Sequence, residues 1–449
     1  LLPFTFTMDS IPALATLVGI YVGAIYGGSI SAILLKTPGT PASAATVFDG
    51  YEMVKQGQAT KALSMSAIAS FGGGIISTVM LITISPLLAS FALKFSAPEY
   101  FMLAVFGLTI IASISAKNIV KGFLAGFLGL FIATVGMDPI TSAARFTFGN
   151  IQFLNGLSII PVLIGLFALS EAFLQLETFF ESHIEKVVVK GSSYVSKKEI
   201  LQTLPTIVKS ALMGTFIGSI PGAGADIASF VSYNEAKRSS KHPEKFGTGC
   251  LEGIAAPEAG NNGVTGGALV PLLSLGVPGD AVAAILLGAF IMQGIAPGPM
   301  MFIRNADLVY SIFCAMLLGN IFMLLLGLFG IRFFSRIVDI PKVMITPIII
   351  VLSMVGSYAI NNSVFDIGVT VAFGIIGYLL LKAEVPQSPI VLALILGPMA
   401  ECNLRKSLLL YEGSYRFLYT RPITIVFILL SLFSLYTSLK KKKSSVKAD

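Results

Sequence analysis

The chain has 449 residues, 55% of them hydrophobic and 12% charged, with a formal net charge of +7 and no tryptophan. That composition excludes a soluble globular domain and describes a polytopic membrane protein, in which each helical crossing needs about 20 apolar residues. The positive charge is no nucleic-acid signal: basic residues sit in short loops and in the tail Lys440, Lys441, Lys442, Lys443 and Lys447, which marks a cytoplasmic C-terminus in a multi-pass protein.

In chain order, a helix is expected over Ile11–Tyr26, ending in a turn at Gly27-Gly28. A short apolar piece, Ile30–Leu35, stops at Lys36-Thr37-Pro38-Gly39, and a piece rich in hydroxyls follows. The polar stretch Asp49–Lys61 leaves the membrane, and charge-poor windows predict spans near 63–93, 98–116, 118–137 and 157–176. Residues 1–180 form the first unit and 181–200 a polar linker. The second unit, 201–420, opens with an apolar run to Ser219 and then Pro221-Gly222-Ala223-Gly224-Ala225-Asp226. A polar insert, Asn234 to Glu258, precedes the Asn261-Asn262 pair, Gly266-Gly267 and Pro278-Gly279; spans follow near 308–331, 343–360, 365–381 and 387–400. Residues 421–449 add a terminal helix and the basic tail. The expected architecture is all-α and polytopic, with about ten to twelve membrane segments.

The chain repeats itself. Gly27-Gly28-Ser29, Leu34-Leu35, Pro38-Gly39 and Gln56-Gly57 recur in order as Gly266-Gly267-Ala268, Leu272-Leu273, Pro278-Gly279 and Gln293-Gly294. A weaker echo sets Asn118, Gly126, Gly129 and Pro139 against Asn362, Gly374, Gly377 and Pro386. Matched broken segments in two halves of a hydrophobic chain point to a secondary transporter built from two related, inverted repeats.

Backbone N–H groups at a helix start lack internal partners, and the helix dipole places about half a positive charge there. A break at membrane depth is tolerated only where it is buried in protein or lines a cavity, so two such starts facing one cavity make an anion site. The breaks at 38/39, 221/222 and 278/279 fit that description, as would kinks used only for packing. The expected substrate-binding residues are Ser29, Gly39, Thr40, Ser43, Thr46, Gly222, Ala223, Asn261, Asn262 and Gly279. A di- or tricarboxylate carries about two to three negative charges, against about one positive charge from two helix ends. Residues 259–303 contain no Lys or Arg, and their only charge is Asp280. The rest of the negative charge needs a basic side chain or a bound cation, and Asp226, Thr265 and Asp280 are the expected coupling-ion residues for Na⁺ or H⁺. Asp280 equally satisfies the preference for a carboxylate at a helix N-terminus.

Nothing supports an enzyme. Cys250, Cys314 and Cys402 are far apart, His183 and His242 read as loop residues, and no HExxH or GxxxxGK[ST] sequence occurs, so no catalytic group and no transition-metal site is expected. A passive channel-like or structural membrane subunit is the alternative to a coupled carrier.

Tyr26-Gly27-Gly28-Ser29-Ile30, Pro38-Gly39, Thr46, Asp49-Gly50-Tyr51 and Gln56-Gly57 resemble the first signature of the large membrane subunit of tripartite tricarboxylate transporters. Ile220 to Gly224, Ser232-Tyr233, Pro257-Glu258, Asn261-Asn262, Gly266-Gly267, Leu275 to Gly279 and Pro297-Gly298-Pro299 resemble the second. The resemblance covers nearly the whole chain. It implies a bacterial inner-membrane carrier that works with a small membrane subunit and a periplasmic solute-binding protein, taking up carboxylates such as citrate with a cation. Gly260 and Gly263 stand where many relatives are expected to carry alanine, which leaves the substrate open. The resemblance also implies a further Pro-Gly signature upstream of Gly27, so an N-terminally truncated piece of a longer protein is expected. An elevator-like motion of the bundle carrying the broken helices, against a scaffold, is the expected transport step.

Overall fold

The computed structural model describes residues 5, 7–114, 119–138, 140–178, 193–331, 333 and 342–445. Residues 1–4, Asn118, Pro139, the linker stretch 181–192 with His183, and Lys447 lie outside them. Six described helices are long and apolar enough to cross a membrane: Ser10–Leu35, Ala59–Ala92, Ile159–Glu177, Lys197–Gly218, Ala306–Phe329 and Val364–Lys382. Shorter apolar helices lie at Ala97–Ile110, Val120–Ala133, Ala281–Met292, Thr346–Asn361 and Pro422–Tyr436. The protein is a multi-pass, all-α membrane protein. Its described strands form one antiparallel ladder, Gly136–Met137 with Ala144–Arg145, between the helices Val120–Ala133 and Ile159–Glu177.

Two compact units divide the chain, and each takes one stretch from each sequence half. One unit holds Leu2–Ser90 and Phe180–Ile345; the other holds Phe91–Phe179 and Thr346–Asp449.

The first of these carries every predicted site residue. It contains α1 (Ser10–Leu35), α2 (Val47–Lys55), most of α3 (Ala59–Ala92), and then, after residues 91–179 of the other unit, α8 (Lys197–Gly218), α9 (Ala225–Ser239), α10 (Leu251–Leu275), α11 (Ala281–Met292), α12 (Met301–Arg304) and α13 (Ala306–Phe329). At its centre α10 is buried at every position from Gly253 to Ser274. Small residues on all its faces explain this: Gly73 of α3 backs onto Ala259, and Gly214 of α8 onto Gly260. Such close approach is how membrane helices gain contact when lipid gives no hydrophobic drive between them.

The expected turn at Gly27-Gly28 is not there. α1 runs unbroken through both glycines, and α10 runs unbroken through Gly266-Gly267. Three of these four glycines serve close packing instead, with Gly28 against Thr40, Gly266 against Ser77 and Gly267 against Thr215.

In the second unit, α4 (Ala97–Ile114) and α5 (Ile119–Ala133) pack against the helix Ser388–Leu410, where Leu392 and Ala393 meet Leu108 and Leu130. α6 (Ile159–Leu163) passes through a π-helical stretch, Ile164–Leu169, into α7 (Ser170–Thr178). That stretch packs on the helix Val364–Lys382, whose Thr370 hydroxyl donates to the Pro161 carbonyl at 3.1 Å.

Candidate functional site

The two repeat copies end in the same local geometry. α1 stops at Lys36, left-handed at φ 59°, and α10 stops at Gly276, left-handed at φ 73°. A Pro-Gly loop follows each, then a short helix that closes on Gln56-Gly57 or Gln293-Gly294. Gly57 bonds back to Val54 and Gln58 to Met53; Gly294 bonds to Ile291 and Ile295 to Phe290, the same pair of C-terminal capping bonds. Each loop also folds back onto its parent helix. A Cβ on Gly39 would lie 2.8 Å from Gly28 Cα, and one on Gly279 would lie 2.6 Å from Ala268 Cα, so both loop positions require glycine.

At the first break, Gly39 N–H donates to the Gly28 carbonyl at 3.1 Å. Ser43, fully buried in the 3₁₀ turn Pro41–Ser43, donates to the Thr40 carbonyl at 2.8 Å and accepts from the Thr40 N–H at 3.4 Å. Its hydroxyl is thus a cap for this turn, while the Thr40 hydroxyl is buried without a partner.

The other two breaks meet directly. α8 ends at Gly218, Gly222 turns at φ 82°, and its N–H donates to the Gly279 carbonyl at 2.6 Å. Ala223 is buried beside it, and Asp226 is exposed on the first turn of α9. Asp280 is the N-cap of α11: Oδ1 accepts from Ala283 N–H at 2.7 Å, and Oδ2 accepts from the Tyr21 hydroxyl of α1 at 2.7 Å.

α10 connects the breaks. Asn261 reaches the Ala42 carbonyl of the first break at 3.4 Å, and the third folds back onto Ala268, about 10 Å away along a helix rising 1.5 Å per residue. Between them, the Asn262 amide donates to Asn261 Oδ1 at 2.6 Å and to the Glu258 carbonyl at 3.2 Å, and Thr265 donates to the Asn262 carbonyl at 2.7 Å. Asn262 Oδ1 has no partner although Asn262 is fully buried. The predicted residues therefore sit in one unit, around one stretch of one helix.

Two buried carboxylates were missed as site candidates. Glu258, fully buried in α10, accepts from Ser29 at 2.6 Å and Thr46 on Oε1, and from Ser70 at 2.9 Å and Ser66 at 3.2 Å on Oε2. Ser29 and Thr46, expected to face substrate, thus face this carboxylate. Two signals in the sequence mark it. Ser66 and Ser70 stand four apart on one helix face, and Glu258 lies inside the stretch 246–303 that contains no Lys or Arg. The other is Asp49 of α2, also fully buried. It accepts from the Tyr233 hydroxyl and from the N–H groups of Gly247, Gly249 and Cys250, which ties the polar insert down.

A cavity of about 800 Å³ lies away from the breaks, between α8, α9 and residues 240–252. It has walls of both charges, with Lys209 already paired to Glu235 at 2.6 Å, and none of the predicted residues line it. His242 is exposed there and bonds to Glu244 at 3.2 Å, as a loop residue.

The family model of the tripartite tricarboxylate transporter TctA family matches residues 1–392. An uncharacterized 52.8 kDa protein in the TAR-I ttuC' 3' region of Agrobacterium vitis is 37% identical over 452 residues, covering 99% of this chain and 89% of that relative. An uncharacterized protein in the TAR-II ttuC' 3' region of the same organism is 36% identical over 237 residues, covering 52% of this chain and 98% of that relative. No solved structure matches the chain.

Proposed function

The chain belongs to the tripartite tricarboxylate transporter TctA family, and we propose that it is the translocation subunit of a binding-protein-dependent secondary transporter importing di- and tricarboxylates. Its partners in this reading are a small membrane subunit and a periplasmic solute-binding protein, in a bacterial inner membrane with the basic tail in the cytoplasm. A Na⁺ or H⁺ gradient drives uptake.

The observation that carries this reading is the joining of the Pro-Gly breaks around α10, with Gly222 bonded to Gly279 and Asn261 to the first break. The helix starts after the breaks supply fixed positive ends, and Thr40, Asn261, Asn262, Gly39, Gly222, Ala223 and Gly279 are the surfaces a carboxylate meets. Ser29, Ser43 and Thr46 hold that surface from behind. The missing positive charge comes with the cation, for which Asp226, Thr265 and Asp280 are the nearby oxygen donors. Because one compact unit carries all these groups, the site can move as a body, which supports an elevator-like step.

The test is uptake of labelled citrate and other carboxylates into vesicles carrying the full set of subunits under an imposed Na⁺ or H⁺ gradient. Accumulation above equilibrium that needs both a gradient and the binding protein is the expected result. Equilibration indifferent to both would make the chain part of a passive pore.

A further inference from the structure

Glu258 differs from the other buried carboxylates among the described residues in what surrounds it. Asp280 and Asp49 accept backbone N–H groups and a tyrosine, Glu99 accepts the Ser96 N–H at 2.9 Å and faces Arg421, Asp138 is bound by Arg405 at 2.7 Å, and Asp366 accepts the Asn361 amide at 2.7 Å. The side-chain hydrogen bonds to Glu258 all come from aliphatic hydroxyls. The distinction is chemical. An N–H group can only donate, so it cannot ligate a cation. A hydroxyl rotates, directs its proton elsewhere and offers a lone pair from the same place.

Turned that way, the cage presents two carboxylate oxygens and four hydroxyl oxygens and no nitrogen or sulfur. Hard cations take oxygen sets of this kind. The charge selects further. A lone buried carboxylate is costly, one positive charge neutralises it, and a divalent ion would leave a net charge in the middle of a buried helix. Beside the cage lies a second sign of an unfilled polar site: the Asn262 Oδ1 atom, fully buried and unpartnered, one turn along α10.

We propose that Glu258 and the hydroxyls of Ser29, Thr46, Ser66 and Ser70 bind one small monovalent cation, Na⁺, and that its occupancy sets the first Pro-Gly break in position for the carboxylate. The link to the break is Thr46, which joins the 3₁₀ turn Pro41–Ser43 to α2 and donates directly to Glu258. Ser29 fixes α1 to the same carboxylate one residue past Gly28, on which Gly39 rests. Filling the cage thus locks both walls of the break, and emptying it frees them. This deepens the transporter reading and rests on it.

The experiment measures Na⁺ binding by the full chain in detergent, as ²²Na⁺ retention and as the rise in melting temperature with NaCl against choline chloride at constant ionic strength. The wild type is expected to show saturable binding selective for Na⁺. Glu258→Gln should weaken it by at least about tenfold, and Ser70→Ala or Ser66→Ala by several-fold, about 1 kcal/mol for each lost oxygen. The serine variants keep the test decisive if Glu258→Gln does not fold. Wild-type Na⁺ affinity in these variants, no Na⁺-specific binding at all, or stabilisation that follows pH and ignores Na⁺ would overturn the proposal. If Na⁺ does not bind while carboxylate still accumulates on a proton gradient with the binding protein, the inference fails and the transporter reading stands. If Na⁺ binds and no gradient drives accumulation, the transporter reading fails while the cation site remains.

Discussion

The N–H of Gly222 donates to the carbonyl of Gly279 at 2.6 Å, so two breaks that are 57 residues apart in the chain form one piece of structure. A Cβ on Gly279 would lie 2.1 Å from the Gly218 carbonyl oxygen as well as against Ala268. Gly279→Ala is therefore expected to push the breaks apart, at a cost of about 1–3 kcal/mol for overpacking, and to abolish uptake. Melting in detergent and vesicle uptake check both parts. Full uptake in this variant would show that the junction is not part of the site.

Asp280 has a structural role, and its role in coupling can be separated from it. Asparagine caps a helix about as well as aspartate, whereas alanine costs about 1 kcal/mol. Asp280→Asn should melt close to the wild type and still lose cation-driven uptake. Tyr21→Phe removes the other hydrogen bond to this carboxylate and should lower stability by about 1–3 kcal/mol. An Asp280→Asn protein that accumulates substrate normally would confine Asp280 to capping.

Asp49 anchors the polar insert through Tyr233 and three backbone N–H groups. Asp49→Ala leaves those donors buried without an acceptor, a loss of about 3 kcal/mol. The segment around Lys241 and Lys245 should then open to trypsin. Cleavage there at the wild-type rate would count against the anchor.

In the compact unit formed by Phe91–Phe179 and Thr346–Asp449, the hairpin carboxylate Asp138 is held well below its usual range. The N–H groups of Thr141 and Ile140 act first and Arg405 adds to them. A depressed carboxylate contributes its full stability above its unfolded value of about 3.9; that contribution begins to decline below this value and is lost as pH falls through the lower folded-state value. Asp138→Asn should therefore lower the melting temperature at neutral pH, with the difference from wild type shrinking near about pH 3. A difference independent of pH would contradict the assignment.

The helical spans were legible because long apolar windows leave few alternatives: the window from Leu308 gives Ala306–Phe329, and that near 365–381 gives Val364–Lys382. The Pro-Gly breaks were legible because proline and glycine act locally. Gly27-Gly28 reads as a turn because the role of Gly28 is tertiary: nothing near it in sequence says that Thr40 lies against it. Glu258 was hidden for the same reason. Its four hydroxyl partners come from three places more than 180 residues upstream, and it stands at the end of a stretch whose charges read as a solvated insert.

The central claim is that a carboxylate binds where the breaks meet, and Ala223, buried beside Gly222, is the place to test it. With Cys250, Cys314 and Cys402 replaced by serine, the rate at which Ala223→Cys reacts with a membrane-impermeant maleimide would be followed in the assembled transporter. A carboxylate that the wild type takes up is expected to slow the reaction saturably, while a control cysteine at exposed Tyr194 reacts unchanged. Labelling at position 223 that ignores every transported carboxylate would contradict the site.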